Sequence, residues 1–390
     1  MDTTLAVNPG SSSRKYELYR GTVRVFTAVF EQTGEGYGMC IAVDGMQQTC
    51  TESSVRAYDD ALDECIKIAC EKGIIKTPKE ITRVGVRIVC PGTYFAKHQI
   101  ITEGYIERLK KMHDAAPLHI PHILTEIAAL ARVLPHAHIV GVSDSAFHAT
   151  IPPHVRTYSI DALDSAALDI YRFGYHGLSV ASVVRKATKM GAEFPSRAIV
   201  CHIGSGVSVT TLANGVSVDT TMGFGPMSGL MMNTRVGDID PSALLFLMEK
   251  MKWTPLETIT YLNSKCGIRG MLGHSDLRVT LERFERGDIK ASQAIEMYIH
   301  RIKKAIGAAV ATLSGVDLLV LTATAAERNP TVRALICANL EVFGILIDAE
   351  KNETQMGDVG WIHDDASRAQ ILVVHTEEMD EIARVANASA

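Results

Sequence analysis

The sequence predicts an α/β protein of two domains, each a mixed sheet with flanking helices, and three observations predict it. The chain has 390 residues, 47% of them hydrophobic, which is more than one core usually serves. Its opening three strand-like runs, broken by glycine-containing turns, return in the same order near residue 198. After each set, helical patterns alternate with further apolar strands, as in a sheet that is partly parallel. A cleft between the two domains is the expected place for a ligand.

In chain order, residues 3 to 30 read as strand TTLAV, a Gly/Ser turn, strand KYELYR, a Gly21-Thr22 turn and strand VRVFTAVF. Strands VGVRIV and HIVGVSD follow, with helical patterns near 57–72 and 119–133. The second set is AIVCHI, the turn GSGVS, VTTL, the hairpin signal Asn214-Gly215 and VSVDTT. Helical patterns near 241–251 and 290–313 lead to strand VDLLVLT. The apolar stretch from Ala305 to Ala326 has the length of a membrane span. Asp317 lies inside it, however, and Ser314-Gly315 divides a helical half from a strand-like half, so a buried helix followed by a buried strand is expected. The last helix carries Met379, Ile382, Ala383 and Val385 at helical spacing and has to pack on something.

A formal net charge of -5 leaves no basic surplus for coating nucleic acid or an acidic membrane, and small molecules are the expected partners. The eight cysteines, Cys40, Cys50, Cys65, Cys70, Cys90, Cys201, Cys266 and Cys337, are scattered without a CxxC pair, and MDTTLAVNPG has no basic n-region. A reduced, cytoplasmic protein is the expectation.

The first turn, Gly10-Ser11-Ser12-Ser13, would expose backbone N–H groups and hydroxyls, with an amide at Asn8 and an ammonium at Lys15 on either side. Alone it is an ordinary serine-rich hairpin, since it lacks the GxxxxGK[ST] spacing of a P-loop. A second such turn, Gly204-Ser205-Gly206-Val207-Ser208, preceded by His202, opens the second half. Two phosphate-type turns in two similar domains point to a phosphorylated ligand.

The segments VNPGSSSRKY, APLHIP, SDSAFHATIP, RFGYHGLS, HIGSGVSV, SVDTTMGFGPMSGLMMNTRVGDIDP and IRGMLGHSDLR occur in the order and rough spacing of the acetate kinase family. The resemblance covers nearly the whole chain. It implies two duplicated actin-like ATPase domains with five-stranded mixed sheets around a central cleft, in the actin, sugar kinase and Hsp70 superfamily. The implied boundaries are 1–145, 146–376 and a C-terminal helix, 377–390, that returns to the first domain. The implied reaction is Mg²⁺-dependent phosphoryl transfer between ATP and acetate or another short-chain carboxylate, giving an acyl phosphate such as acetyl phosphate. A homodimer is also implied, with no nucleic acid and no membrane.

Residue by residue, Arg87 and Arg235 match the family arginines that hold the carboxylate and the transferring phosphoryl, a task suited to planar guanidinium forks. His176 matches a histidine that donates to the phosphoryl, and His119 a second active-site histidine. Asp144, at the end of HIVGVSD, matches the catalytic aspartate. Asn8 and Glu378 match the groups linked to Mg²⁺, although Glu377 is adjacent and the register is open by one residue. Val89, Leu118, Tyr175 and Pro226 fall where the family lines an apolar slot for the acyl methyl. The phosphate and nucleotide side takes Asn8, Ser11, Ser13, Lys15, His119, His202, Gly204, Ser205, Gly206, Asp276, Leu277, Arg278, Thr324 and Ala326.

The chain also departs from the family. LTATAAERNP stands where a glycine-rich GIGEN loop is usual, placing Thr324 and Ala326 at expected glycines. Ser205 replaces an asparagine, and Tyr175 a phenylalanine, which adds a hydroxyl beside the acyl slot. Three readings stay open: an ATP-dependent acyl kinase, an acyl kinase that uses phosphate and pyrophosphate in place of ADP and ATP, and an inactive binding homologue.

Overall fold

The computed structural model describes residues 3–10, 13–33, 36–44, 46, 48–52, 60–189, 194–355 and 357–389. The chain divides into two compact units, residues 1–146 with 377–390, and residues 147–376.

Unit 1 is built on β1 (Thr3–Pro9), β2 (Ser13–Arg20), β3 (Val23–Thr33), β4 (Gly36–Val43), β5 (Thr49–Glu52), β6 (Ile81–Ile88), β7 (Gln99–Ile100) and β8 (His138–Ser143), in the spatial order β5-β4-β3-β2-β1-β6-β8-β7. β1, β2 and β3 pair antiparallel, whereas β6 and β8 join β1 in parallel. Alternation sets the two faces. Leu5, Val7, Tyr16 and Leu18 point into a core shared with α1 (Ala61–Glu71), α2 (Glu103–Lys111) and α3 (Ile120–Val133). In α3 the buried Ile120, Ile123, Ile127 and Leu130 recur at three- and four-residue steps, the period of one helix face. Inside this core Arg14 meets Glu126 at 2.9 Å, both fully buried, and the Tyr16 hydroxyl donates to the same carboxylate at 3.0 Å.

The opposite face of β1 and β6 receives the C-terminal helix Glu378–Ala388, which buries Met379, Ile382, Ala383, Val385 and Ala386. Gly85 makes this docking possible, since a Cβ there would stand 2.7 Å from Ile382 Cγ2 and 2.8 Å from the Ile382 carbonyl oxygen. The helix therefore settles against the sheet two residues before Arg87, and its first residue is Glu378.

Unit 2 repeats the scheme with β9 (Arg197–Ile203), β10 (Val207–Ala213), β11 (Val216–Thr220), β12 (Leu318–Thr322), β13 (Val359–Trp361) and β14 (Gln370–Val374), ordered β11-β10-β9-β12-β14-β13. The five strands β3-β2-β1-β6-β8 correspond one for one to β11-β10-β9-β12-β14, with the same antiparallel and parallel senses. The sheets nevertheless hold eight and six strands rather than five each. The additional strands, β4, β5, β7 and β13, extend the edges of the shared five. They are short or sit where the sequence lacks period-2 patterning, which hid them from a reading based on alternation.

Helices of unit 2 include α4 (Gly177–Lys189), α5 (Pro241–Met251), α6 (Leu277–Glu285) and α7 (Ile289–Leu313). Asp288 caps α7 by accepting from Ala291 N at 3.0 Å, and Ser314 ends it in the left-handed region. β12 follows, fully buried, so the stretch around Ala305–Ala326 is a helix followed by a strand. Among the described residues no helix is long and apolar enough to cross a membrane.

The expectation of a fully reduced chain is corrected at one pair. Cys40 and Cys50 face each other directly across β4 and β5 and form a disulfide. Cross-strand opposition, which no sequence spacing announces, brings them together. The other six cysteines are free thiols.

Candidate active site

In unit 1 the chemistry gathers at the carboxyl ends of parallel strands, where open α/β sheets place their working groups. Arg87, the penultimate residue of β6, presents Nη2 to Asp144 Oδ2 at 3.0 Å and Nη1 to Glu378 Oε2 at 3.1 Å. Asp144 immediately follows β8, and its N–H donates to Ile88 O at 3.0 Å, so the strand ladder itself sets its position. Burial acts to discharge the guanidinium, but the two carboxylates outweigh it and hold Arg87 above the ordinary arginine range. Its Nε is buried without a hydrogen bond. Glu378 is the glutamate paired with Arg87, while Glu377 occupies the N-cap position of the C-terminal helix.

Asn8 lies on β1 opposite Lys15, ahead of a tight turn in which Gly10 N–H donates to Ser13 O at 2.9 Å. Ser11 is outside the described residues. Lys15 Nζ sits 3.0 Å from Glu17 Oε1 on the sheet face away from the core, so its charge is matched within β2. His119 takes the N-cap position of α3, next to half-buried Leu118, and Val89 is half-buried just beyond β6. Sequence reasoning missed His98. Its Nδ1 accepts from Ser143 N at 3.1 Å, one residue before Asp144, and burial together with Arg384 lowers its pKa to about 4. It is a neutral acceptor that braces the aspartate, and nothing in its local sequence signals this.

In unit 2 the groups are imidazoles, hydroxyls and one guanidinium. His176, at φ +59°, enters α4 with its ring stacked on His202 at a 3.9 Å centroid separation. Nδ1 of His176 pairs with Ser208 Oγ at 3.0 Å, and Nδ1 of His202 with Ser179 Oγ at 2.8 Å. The β9–β10 turn closes through Gly204 N–H to Gly206 O at 3.0 Å, leaving Ser205 exposed. Gly206 lies against both candidate catalytic groups: a Cβ there would stand 2.9 Å from His176 Nε2 and 3.6 Å from Arg235 Nη1. Arg235 is half-buried and its Nη1 donates to Pro226 O at 3.1 Å.

Tyr175 is buried, and its hydroxyl donates to Phe224 O at 2.6 Å, so the extra hydroxyl is engaged by backbone. His148, whose side chain spans Ser217 Oγ at 2.9 Å and Tyr175 O at 3.0 Å, supports the same segment. It lies in the quoted motif SDSAFHATIP, which was a usable signal. Of the proposed acyl slot, Val89 and Leu118 belong to unit 1, Tyr175 and Pro226 to unit 2.

Asp276 caps α6 and is bound by Arg278 at 2.8 Å; Leu277 is buried. The glycine-poor loop forms a short helix, Thr324–Arg328, with Thr324 exposed and Ala326 fully buried. The unusual residue is the one before it. Ala323 adopts φ +69°, ψ +163°, a conformation that costs a side-chain-bearing residue about 1–3 kcal/mol. Its N–H is fixed by Glu327 Oε1 at 2.7 Å, which also accepts from Thr376 N at 3.0 Å and so ties the ends of β12 and β14. Burial works to raise the Glu327 carboxyl, but hydrogen bonds from His375 and these backbone groups leave it below its usual range.

The donor set fits Mg²⁺ rather than a transition metal. Asn8, Asp144 and Glu378 offer only hard oxygen atoms, and among the described residues no group of three or more His, Cys, Asp or Glu side chains is placed to hold a metal unaided.

One five-stranded mixed topology used twice, with polar groups at the strand ends of each copy, defines an actin-like phosphotransferase fold. The chain belongs to the Acetokinase family, whose pattern it matches over residues 3–384; these enzymes are phosphotransferases with a carboxyl group as acceptor. It is 36% identical over 387 residues to an acetate kinase of Sulfurovum sp., covering 97% of each chain. It is likewise 36% identical over 397 residues to an acetate kinase of Oleidesulfovibrio alaskensis, covering 98% of each. Among solved structures, Porphyromonas gingivalis acetate kinase superposes with a TM-score of 0.87 at 32% identity over 100% of both chains. A propionate kinase from Francisella tularensis reaches 0.91 at 29% identity, again over 100% of both.

Proposed function

We propose that this chain transfers a phosphoryl group between ATP and acetate, or another short-chain carboxylate, to give the acyl phosphate. The observation that carries the reading is the disposition of Arg87, fixed by two carboxylates at 3.0 and 3.1 Å and still holding an unspent Nε. A guanidinium held this way is preorganised for an anionic acceptor and does not reorient during the reaction. Arg235 and His176, both against Gly206, supply the donors that a phosphoryl in flight needs on its equatorial oxygens. The carboxylate oxygen attacks phosphorus in line, the bond to the leaving phosphate oxygen breaks, and no enzyme nucleophile intervenes. Asn8, Asp144 and Glu378 would hold Mg²⁺, which when bound neutralises phosphate charge.

A second reading, with pyrophosphate as donor, is favoured by Ala323, whose methyl stands beside the Gly204 turn; a Cβ at Gly204 would lie 3.4 Å from it. The protein incubated with acetyl phosphate and either ADP or phosphate tests both readings. ATP formed with ADP alone supports the first, pyrophosphate formed with phosphate the second, and neither product overturns both.

The homodimer belongs to the same proposal. α5 buries none of its residues and exposes Leu245 and Phe246 at 60% and 61%. Such an unpartnered apolar helix suits a second copy of the chain. Sedimentation equilibrium at micromolar concentration should give twice the chain mass, and Phe246→Glu should return it to one.

A further inference from the structure

Unit 2 holds a pocket of about 540 Å³ that none of the assigned site residues lines. Its wall is the outer part of β10 and β11, the 219–238 segment and one side of α7. Arg172, Arg301, Lys304 and His300 face it, against the carboxylates Asp219 and Asp238. Both carboxylates are already engaged by backbone: Asp238 Oδ1 accepts from Gly229 N at 2.7 Å, and Asp219 Oδ1 from Thr220 N at 2.7 Å. The cations keep unused donors. Arg172 donates from Nη1 to Thr220 O at 2.8 Å, yet its Nε is buried without a partner. Arg301 caps Asp238 O at 3.2 Å, and Lys304 is exposed with no ion pair or hydrogen bond among the described residues. The remaining wall is apolar and low, with Ala305, Ala308 and Ala309 on α7 facing Val209 and Leu230.

A concave site with surplus guanidinium and ammonium donors recognises anionic oxygens. Small apolar walls between the charges leave room for a short carbon skeleton, which inorganic phosphate lacks. We infer that this pocket binds a short aliphatic dicarboxylate and that its occupancy is felt at the candidate active site. Chain continuity links the pocket to both candidate groups. Arg172 lies four residues before His176, on a stretch pinned by Phe173 N–H to Gly223 O at 3.1 Å. Thr220, Gly229 and Asp238 belong to the segment that carries Pro226 and Arg235. A ligand that draws Arg172 or Arg301 inward moves the supports of His176 and Arg235 together.

Succinate is the probe, titrated calorimetrically into the full chain, its Arg87→Ala variant and its Lys304→Glu variant. The expected result is one site per chain with a dissociation constant no weaker than about 1 mM, retained in Arg87→Ala and weakened about tenfold or more in Lys304→Glu. Binding is read without turnover, so the outcome is independent of the donor and acceptor proposed above. Succinate binding that disappears in Arg87→Ala and persists in Lys304→Glu would place it at the acyl side and overturn the inference. So would inorganic phosphate binding the Lys304-dependent site as tightly as succinate. In turnover assays Lys304→Glu should match the parent without succinate, whereas succinate should change parental kcat or KM at least about twofold; an unchanged rate at saturating succinate would overturn the coupling.

Discussion

The two units share one strand topology and fill its working positions in opposite ways. At the end of the fourth strand of the core order, unit 1 has the charged Arg87 as the penultimate strand residue, and unit 2 has Ala323 in a strained backbone just past the strand. After the fifth strand, unit 1 has Asp144, and unit 2 has His375, paired with Glu327 at 2.7 Å, then Thr376, whose hydroxyl donates to Ser179 at 2.9 Å. Unit 1 thus holds its geometry by electrostatics, a guanidinium between two carboxylates. Unit 2 holds its two site histidines by shape, through stacked imidazoles, hydroxyl partners and a glycine whose Cβ would press on His176. A duplicated scaffold fixes where side chains emerge and leaves open how they are kept in place.

The contrast breaks most visibly at the arginines. Arg87→Ala should lower kcat by on the order of a hundredfold or more and also cost about 3 kcal/mol of stability, because Asp144 and Glu378 lose the cation between them. Arg235→Ala should lower kcat to a similar extent, since its guanidinium lies against Gly206 beside His176. Turnover near that of the parent in either variant would contradict the assignment of the two arginines.

Next in size is Gly206→Ala. Its methyl would press on His176 Nε2, so kcat should fall about tenfold, a loss of roughly 1.4 kcal/mol of transition-state stabilisation, whereas Gly204→Ala, in ordinary contact with Ala323, should stay within about threefold of the parent. Matching kinetics in the two variants would mean that shape does not hold this half.

Ala323→Gly sharpens the comparison on the stability axis. Releasing the positive φ should outweigh the added freedom of the unfolded chain and stabilise by about 1 kcal/mol, read as a higher thermal midpoint. A lower midpoint would mean that Glu327 and the strand ends carry the loop without strain.

The smallest expected effect is a pH slope. The ordinary histidine value is 6.5, and burial holds folded His98 at about 4. Below pH 6.5 the unfolded chain takes up a proton that the folded chain refuses, so this contribution is complete above 6.5 and is lost as pH falls toward 4. His98→Asn keeps an acceptor for Ser143 N–H without titrating, and urea midpoints at pH 7 and pH 5 should differ less in the variant than in the parent.

Much of this was legible in the sequence. The repeated strand, turn, strand order carried the five-stranded cores, because alternation and turn residues are local signals. Motif segments singled out Asp144, His176 and Arg235 as candidates, and the family resemblance added Arg87 and Glu378. The sequence could not announce pairings made at long range: Cys40 with Cys50 across an edge hairpin, His98 under Ser143, or Glu327 joining two strand ends. Substitution at the loop glycines is visible in the sequence, at Thr324 and Ala326. One of these is exposed and the other buried, and the backbone stress sits at Ala323, since φ is set by the path between Thr322 and Glu327 and not by composition.

The docking of the C-terminal helix on unit 1 has a consequence during synthesis. Glu378 and the helix that covers Gly85 leave the ribosome only after all of unit 2 has been made. Until then the first unit waits with Arg87 half-matched and one sheet face bare, a nascent-chain state open to chaperones and proteases. Activity should therefore be absent from any ribosome-bound chain halted before residue 378, the candidate site of unit 1 being completed by the last helix to be made.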